Sequence, residues 1–219
     1  RFDEGLEQIR LLLENENVSS EGQFHSFKNT TSLPRPTQKP RPSFWVAAVS
    51  SPESFAGAAR MGHGVMGVPL FGPKMKEMMG IYREAWKEAG HPGKGKIMLM
   101  FHMFCWPDET EAHDLAREHI NDYIASFAEA ANDWVSGTAS DAYPGYDKLV
   151  ANLANDNFEN TLARGAAWVG TPKTIIEQIK EFRSTIGDIE VGSFQVNFSN
   201  MPVDLAEKSL ENFSRDVMP

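Results

Sequence analysis

Three hydroxyls stand where an apolar run gives way to a helical pattern. Residues 44–49 read Phe-Trp-Val-Ala-Ala-Val, Ser50 and Ser51 follow, and Ser54 lies just inside the Pro-Glu-Ser-Phe-Ala-Gly-Ala-Ala pattern that starts at Pro52. A helix N-terminus leaves backbone N–H groups without intrahelical partners and carries partial positive potential. Hydroxyls beside those donors complete an anion cradle suited to a phosphate, with no lysine needed. The simpler reading is that Ser51 caps the helix, with Glu53 in its acidic first turn. Capping and phosphate binding are compatible, and both stay open on these residues alone.

Other side chains with chemical potential are scattered. Trp106 ends an apolar run at 97–106, where it reads either as a ligand-facing wall or as a structural rim aromatic. His102 sits in the middle of that run, in alternation with Met100 and Phe104. A buried, hydrogen-bonded core histidine is its expected role, ahead of acid/base work. Cys105 reads as packing, with nothing to lower its pKa. Asn197, Ser199 and Asn200 follow another strand pattern and suit either a turn or polar ligand atoms. Arg164 and Lys148 flank a turn-rich stretch and are expected on the solvated surface. His113 and His119 lack the four-residue separation of a helical metal pair, so with Asp108 and Glu111 they read as a solvated helix face. No metal site is expected, and no catalytic residue can be named. The loop at 91–96, His-Pro-Gly-Lys-Gly-Lys, lacks the spacing and the hydroxyl of a phosphate loop and precedes a strand instead of following one.

Positioning these groups falls to alternating apolar runs and amphipathic stretches. Residues 1–14 place Phe2, Leu6, Ile9 and Leu13 on one helical face. Residues 22–27 suit a short strand, and the proline-rich segment 33–42 suits an extended connector. Strand 44–49, a helix from Pro52 capped by Gly62 or Gly64, and a strand at Val65 and Met66 make a βαβ unit. A helix over 74–90, a strand over 97–106 and a helix over 108–131 continue the alternation, the last with Ala112, Leu115, Ile120, Tyr123, Phe127 and Ala131 inward. Residues 135–165 are turn-rich and read as an insertion or lid. A short apolar run at 166–169 precedes Thr171 and Pro172, a capping residue and a first helical position. A last strand within 186–198 and a closing helix over 203–217, with Ala206, Leu210, Phe213 and Val217 in line, complete the chain.

The alternation is that of an α/β fold. Both an open doubly wound sheet and part of an eight-fold β/α barrel satisfy it. The bulk numbers narrow the class further. The chain has 219 residues, 41% of them hydrophobic, and 30 acidic against 21 basic residues for a net charge of −9. That balance argues against a nucleic-acid surface. A single cysteine excludes an internal disulfide. No apolar run reaches bilayer-spanning length and no leader pattern is visible, so a cytoplasmic protein without membrane partners is expected. The chain opens on Arg1 within a helical pattern, which leads to the expectation that native sequence precedes it.

Several segments, taken in order, carry a family resemblance. RPSFWVAAVSSPESFAGAARMGHGVM resembles the corresponding segment of the bacterial luciferase-like flavin monooxygenases. So do RFDEGLEQIRLL with EGQFHSF and LPRP before it, and MKEMMGIYREAWKEAGHPGKGK, VGTPKTIIEQIKEF and SLENFSRDVMP after it. The match spans nearly the whole chain except 135–165. It implies a (β/α)8 TIM barrel of which 1–219 hold roughly the C-terminal half, within a single domain whose N-terminal strands lie elsewhere. It further implies reduced FMN reacting with O2 through a C4a-(hydro)peroxyflavin on a small organic substrate. Related branches use a deazaflavin for hydride transfer, and some luciferase-like barrels are non-catalytic partner subunits. On this resemblance Ser50, Ser51 and Ser54 match phosphate-side positions, and Trp106 is a candidate wall for the flavin. A homo- or heterodimer, a separate flavin reductase and the remaining half of the barrel are the expected partners. The present stretch alone is expected to be inactive.

Overall fold

The computed structural model describes residues 1–69, 72–137, 151 and 153–218. The chain divides into two compact units, Arg1–Phe44 and Trp45–Pro219. In the first, helix α1 (Phe2–Glu14) precedes an antiparallel pair, β1 (Val18–Glu21) and β2 (Ser26–Thr30). Polar side chains hold it together. The Glu4 carboxylate accepts the N–H groups of Gln23, Phe24 and His25 at the hairpin turn. Gln8 donates to the Ser20 hydroxyl and the His25 carbonyl. Arg35 donates to the carbonyls of Leu12 and Leu13, which have no intrahelical partner at the end of α1. The proline-rich stretch expected to be extended forms no helix or strand.

The second unit is a parallel sheet with helices between its strands. Strand β3 (Trp45–Ala47) leads into α2 (Pro52–Arg60), β4 (Gly64–Gly67), α3 (Gly72–Glu88) and β5 (Ile97–Cys105). Then come α4 (Glu109–Gly137), α5 (Phe158–Ala163), β6 (Ala167–Gly170), α6 (Pro172–Thr185), β7 (Val191–Gln195) and α7 (Val203–Asp216). All sheet pairings are parallel, in the order β3-β4-β5, with β6 and β7 both against β5. His102 pairs with Ala167 on one side and Gln195 on the other. Residues 98 and 99 likewise pair with both β4 and β7. Strands β4 and β6 therefore follow one another along a single edge of β5, and β7 runs along the opposite edge. This is the α/β class expected, with the parallel pairings of a partial β/α barrel.

The period-2 alternation of β5 sorts its side chains. Ile97, Leu99, Phe101 and Met103 enter the helix layer, where they meet Phe55 and Ala59 of α2, Met75 and Tyr82 of α3, and Phe182 of α6. Phe101 stacks on Trp168 at 3.9 Å between ring centroids. Phe104 and Trp106 belong to a second cluster with Ala112, Ala116 and Ile120 of α4 and with Phe198. Gly62 takes φ +71° where α2 turns towards β4, a conformation that favours glycine. Of the two glycines expected to end α2, it is Gly62 that does so, and Gly64 opens β4.

Candidate functional site

The other face of β5 builds a cavity. Met100 and His102 line it, together with Val49 beyond the end of β3 and Val68 and Pro69 beyond the end of β4. These are C-terminal strand ends, the face on which parallel α/β folds place their ligands. Tyr123, Ile124 and Phe127 of α4 form an opposing wall, and Leu153, Asp156, Thr161, Arg164 and Ala166 close one side. The cavity holds about 200 Å³ and its walls are mostly apolar.

Its polar groups are few. Arg164 and Asp156 make a bidentate pair, with Nη1 to Oδ1 at 2.8 Å, and both side chains are largely covered. Arg164 also donates to the Thr161 hydroxyl, which itself donates to the Asn157 carbonyl. This overturns the expectation of a solvated Arg164. The eight-residue separation from Asp156 is not a helical pairing distance; the turn into α5, whose N-cap is Asn157, folds the two together. The Tyr123 hydroxyl accepts from Gln195 Nε2 at 3.2 Å.

His102 departs from expectation in another way. Its ring meets Tyr123 edge-on at 4.9 Å and Phe198 at 5.3 Å. Its Nδ1 is shielded from solvent and has no hydrogen-bond partner among the described residues. Burial pushes its pKa down to about 4, the charge of Arg164 adding to the effect and Asp156 opposing it. The imidazole is thus neutral at ordinary pH, one nitrogen a donor and the other an acceptor. Sequence alternation placed His102 on this face, but its want of a partner depends on α4 and α5, which no local pattern reveals.

Ser51 is the N-cap of α2, its side chain accepting from Ser54 N at 3.4 Å. Ser50 and Ser51 are exposed, Ser54 is half-buried, and Val49 of the cavity wall precedes them directly. Pro52 occupies the first turn of α2, and Glu53 in that turn is paired with Arg60 at 3.1 Å. The three hydroxyls thus share one helix start beside the cavity. Trp106 is elsewhere: it is 9% exposed, stacks on Phe104 at 5.5 Å and lies under Lys208 Nζ. It does not line the cavity.

The remaining candidates have structural surroundings. Cys105 is buried, and burial, with help from Asp216, pushes its thiol up to about 11. Ser199 has φ +57° in a turn, and Asn200 Oδ1 lies 3.1 Å from His119 Nδ1. His113 meets the ring of Phe158 edge-on. No cluster of three potential metal ligands occurs among the described residues. Lys148 lies outside them, as do residues 138–150 and 152 of the suggested lid at 135–165.

Comparison with known proteins adds a family. The family model for luciferase-like monooxygenases matches residues 1–188. The oxygenase component of the flavin-dependent trigonelline monooxygenase of Acinetobacter baylyi is 27% identical over 202 residues, covering 90% of this chain and 54% of that protein. The crystal structure of monooxygenase RslO1 from Streptomyces bottropensis is 29% identical, with a TM-score of 0.74 over 100% of this chain and 60% of that one. The oxygenating constituent of 3,6-diketocamphane monooxygenase from Pseudomonas putida, solved with FMN, shares the fold at a TM-score of 0.72 and 19% identity, over 99% of this chain and 62% of that one. The chain therefore spans a little over half the length of the relatives it matches.

Proposed function

This chain belongs to the luciferase-like monooxygenase family, and from that premise we propose that it forms part of a flavin-dependent monooxygenase acting on a small organic substrate with reduced FMN and O2. The observation that carries the proposal is the junction of two features at one strand end. An apolar cavity begins at Val49, and the serine-bearing start of α2 follows at Ser50 and Ser51.

The residues there fit a phosphate. Ser50 and Ser51 are exposed, the first turn of α2 offers N–H groups and positive potential, and Arg60 offsets the Glu53 carboxylate. Ser51 can leave its long 3.4 Å cap bond to meet an anion at little cost. Reduced FMN supplies the chemistry: its two electrons activate O2, one oxygen atom entering the substrate and the other leaving as water. In this reading Ser50, Ser51 and Ser54 hold the phosphate. The walls of Val49, Val68, Met100 and Phe127 exclude water from the reacting centre. Trp106, packed on Phe104 beneath Lys208, serves as a rim aromatic of the core. A separate reductase supplies the reduced flavin, in keeping with a relative that is itself an oxygenase component.

Titration of the intact protein with FMN and with a 5-deazaflavin, followed by cofactor fluorescence, tests the reading. Saturable binding of FMN, with oxygen uptake when the flavin is reduced, is expected. Binding of the deazaflavin alone would transfer the site to hydride-transfer chemistry, and binding of neither would mark a non-catalytic partner subunit.

A further inference from the structure

Among the polar groups of the cavity, two keep buried hydrogen-bonding capacity open, the His102 ring at Nδ1 and the Arg164 guanidinium at Nε, and of these His102 is the uncharged one. Both terminal nitrogens of Arg164 are engaged by Asp156, Thr161 is engaged both as donor and as acceptor, and the Tyr123 hydroxyl accepts from Gln195. We propose that His102 hydrogen-bonds the polar group of the substrate, and that the cavity selects an uncharged, largely apolar molecule such as a ketone, aldehyde or amide over the corresponding carboxylate. The proposal rests on reading the cavity as the substrate side of the oxygenase.

Three observations support it. The first is the ring itself, which lines the cavity and whose Nδ1 is a buried polar atom without a partner among the described residues. Such atoms are rare because leaving them unmade is costly, and a ligand that supplies the missing bond recovers that cost. The second is orientation. Tyr123 and Phe198 grip the ring edge-on, at interplanar angles of 73° and 75°, so its nitrogens keep their direction before any ligand arrives. The third is charge. The titratable groups facing His102 are Tyr123 from α4, and Asp156 and Arg164 on either side of α5. The last two cancel, and the ring itself is neutral because its pKa lies near 4. The guanidinium of Arg164 is already engaged twice by one carboxylate, so a second would enter without a counter-charge. An uncharged acceptor or donor meets no such penalty.

Cyclohexanone and cyclohexanecarboxylate share a ring and differ in charge, which makes them suitable probes. Intact protein with isotope-labelled histidine rings, held at pH 7, is titrated with each and followed by NMR, with the His102 signals identified by their loss in His102→Phe. Cyclohexanone should shift the His102 signals saturably, and the carboxylate should bind about tenfold or more weakly. His102→Phe should weaken cyclohexanone about fivefold or more, and His102→Asn, which keeps a donor and an acceptor, should restore most of the affinity. Equal binding of the two probes overturns the proposal without recourse to any variant, and so does undiminished cyclohexanone binding in His102→Phe. An FMN titration on the same samples separates the two readings. Loss of probe selectivity with FMN bound counts against the role of His102 alone, whereas failure of FMN to bind counts against the oxygenase reading beneath it.

Discussion

His102 links burial to pH. Its pKa falls from 6.5 to about 4 on folding, so between those values the unfolded chain binds the proton that the folded chain refuses. Stability is therefore lost as pH drops through that window. Replacing His102 with Asn should flatten this part of the profile, by roughly 1–2 kcal/mol at pH 5 relative to pH 7, as read from urea denaturation at both values. The Asp156–Arg164 pair is partly covered, with side chains 10% and 19% exposed. Asp156→Asn leaves the guanidinium half-satisfied and should cost about 2 kcal/mol, between the values for exposed and fully buried pairs. Both residues show where sequence reading stops. The alternation Met100, His102, Phe104 was visible in the chain. The pairing of Arg164 was not, because it depends on how the segment before α5 turns.

Helix starts were the most legible elements. Ser51 before Pro52 and Thr171 before Pro172 both cap as their residue types require. Stripes were less reliable. Phe127 fits the inward period of α4, yet it is exposed at the cavity, since periodicity cannot separate a core face from a cavity wall. On α7 the expected Leu210 is exposed, and Ser209 and Asn212 are buried in its stead. The reason lies in β5. The Cys105 N–H donates to Ser209 Oγ at 2.8 Å, and Asn212 Nδ2 donates to the Cys105 carbonyl. Helix α7 is thus turned to satisfy the end of a buried strand. Ser209→Ala should cost about 1–3 kcal/mol in thermal or chemical denaturation, because it strands a buried N–H. At the start of the same strand, the Glu190 carboxylate accepts the Ile97 N–H at 2.7 Å and pairs with Arg83 at 2.8 Å. Burial alone would raise its pKa, but these partners and Lys94 overcome that and lower it. Its stabilising contribution is complete above the ordinary glutamate range and disappears as pH falls through the lowered folded-state value. Glu190→Gln should cost about 1–3 kcal/mol at pH 7 and much less under acid conditions.

At the scale of the molecule, the parallel α/β class was legible from apolar runs alternating with amphipathic stretches, and the choice of barrel came from the resemblance and the matching folds. Among the described residues β3 pairs with β4 alone, and β6 and β7 each with β5 alone, so all three have an outer edge without a strand. A closed barrel leaves no such edge. The chain spans 54% of one relative and 60% of another. We propose that the remaining barrel strands complete these edges, and that pairing with a second luciferase-like subunit belongs to the whole protein. No helix among the described residues is long and apolar enough to cross a membrane. The central claim, a flavin phosphate seated at the start of α2, is tested most directly by comparing FMN with riboflavin, which differ only in that group. In the intact protein FMN should bind more tightly than riboflavin, and Ser51→Ala with Ser54→Ala should reduce that preference about tenfold or more while leaving riboflavin affinity unchanged. An FMN preference untouched by the double substitution would contradict it.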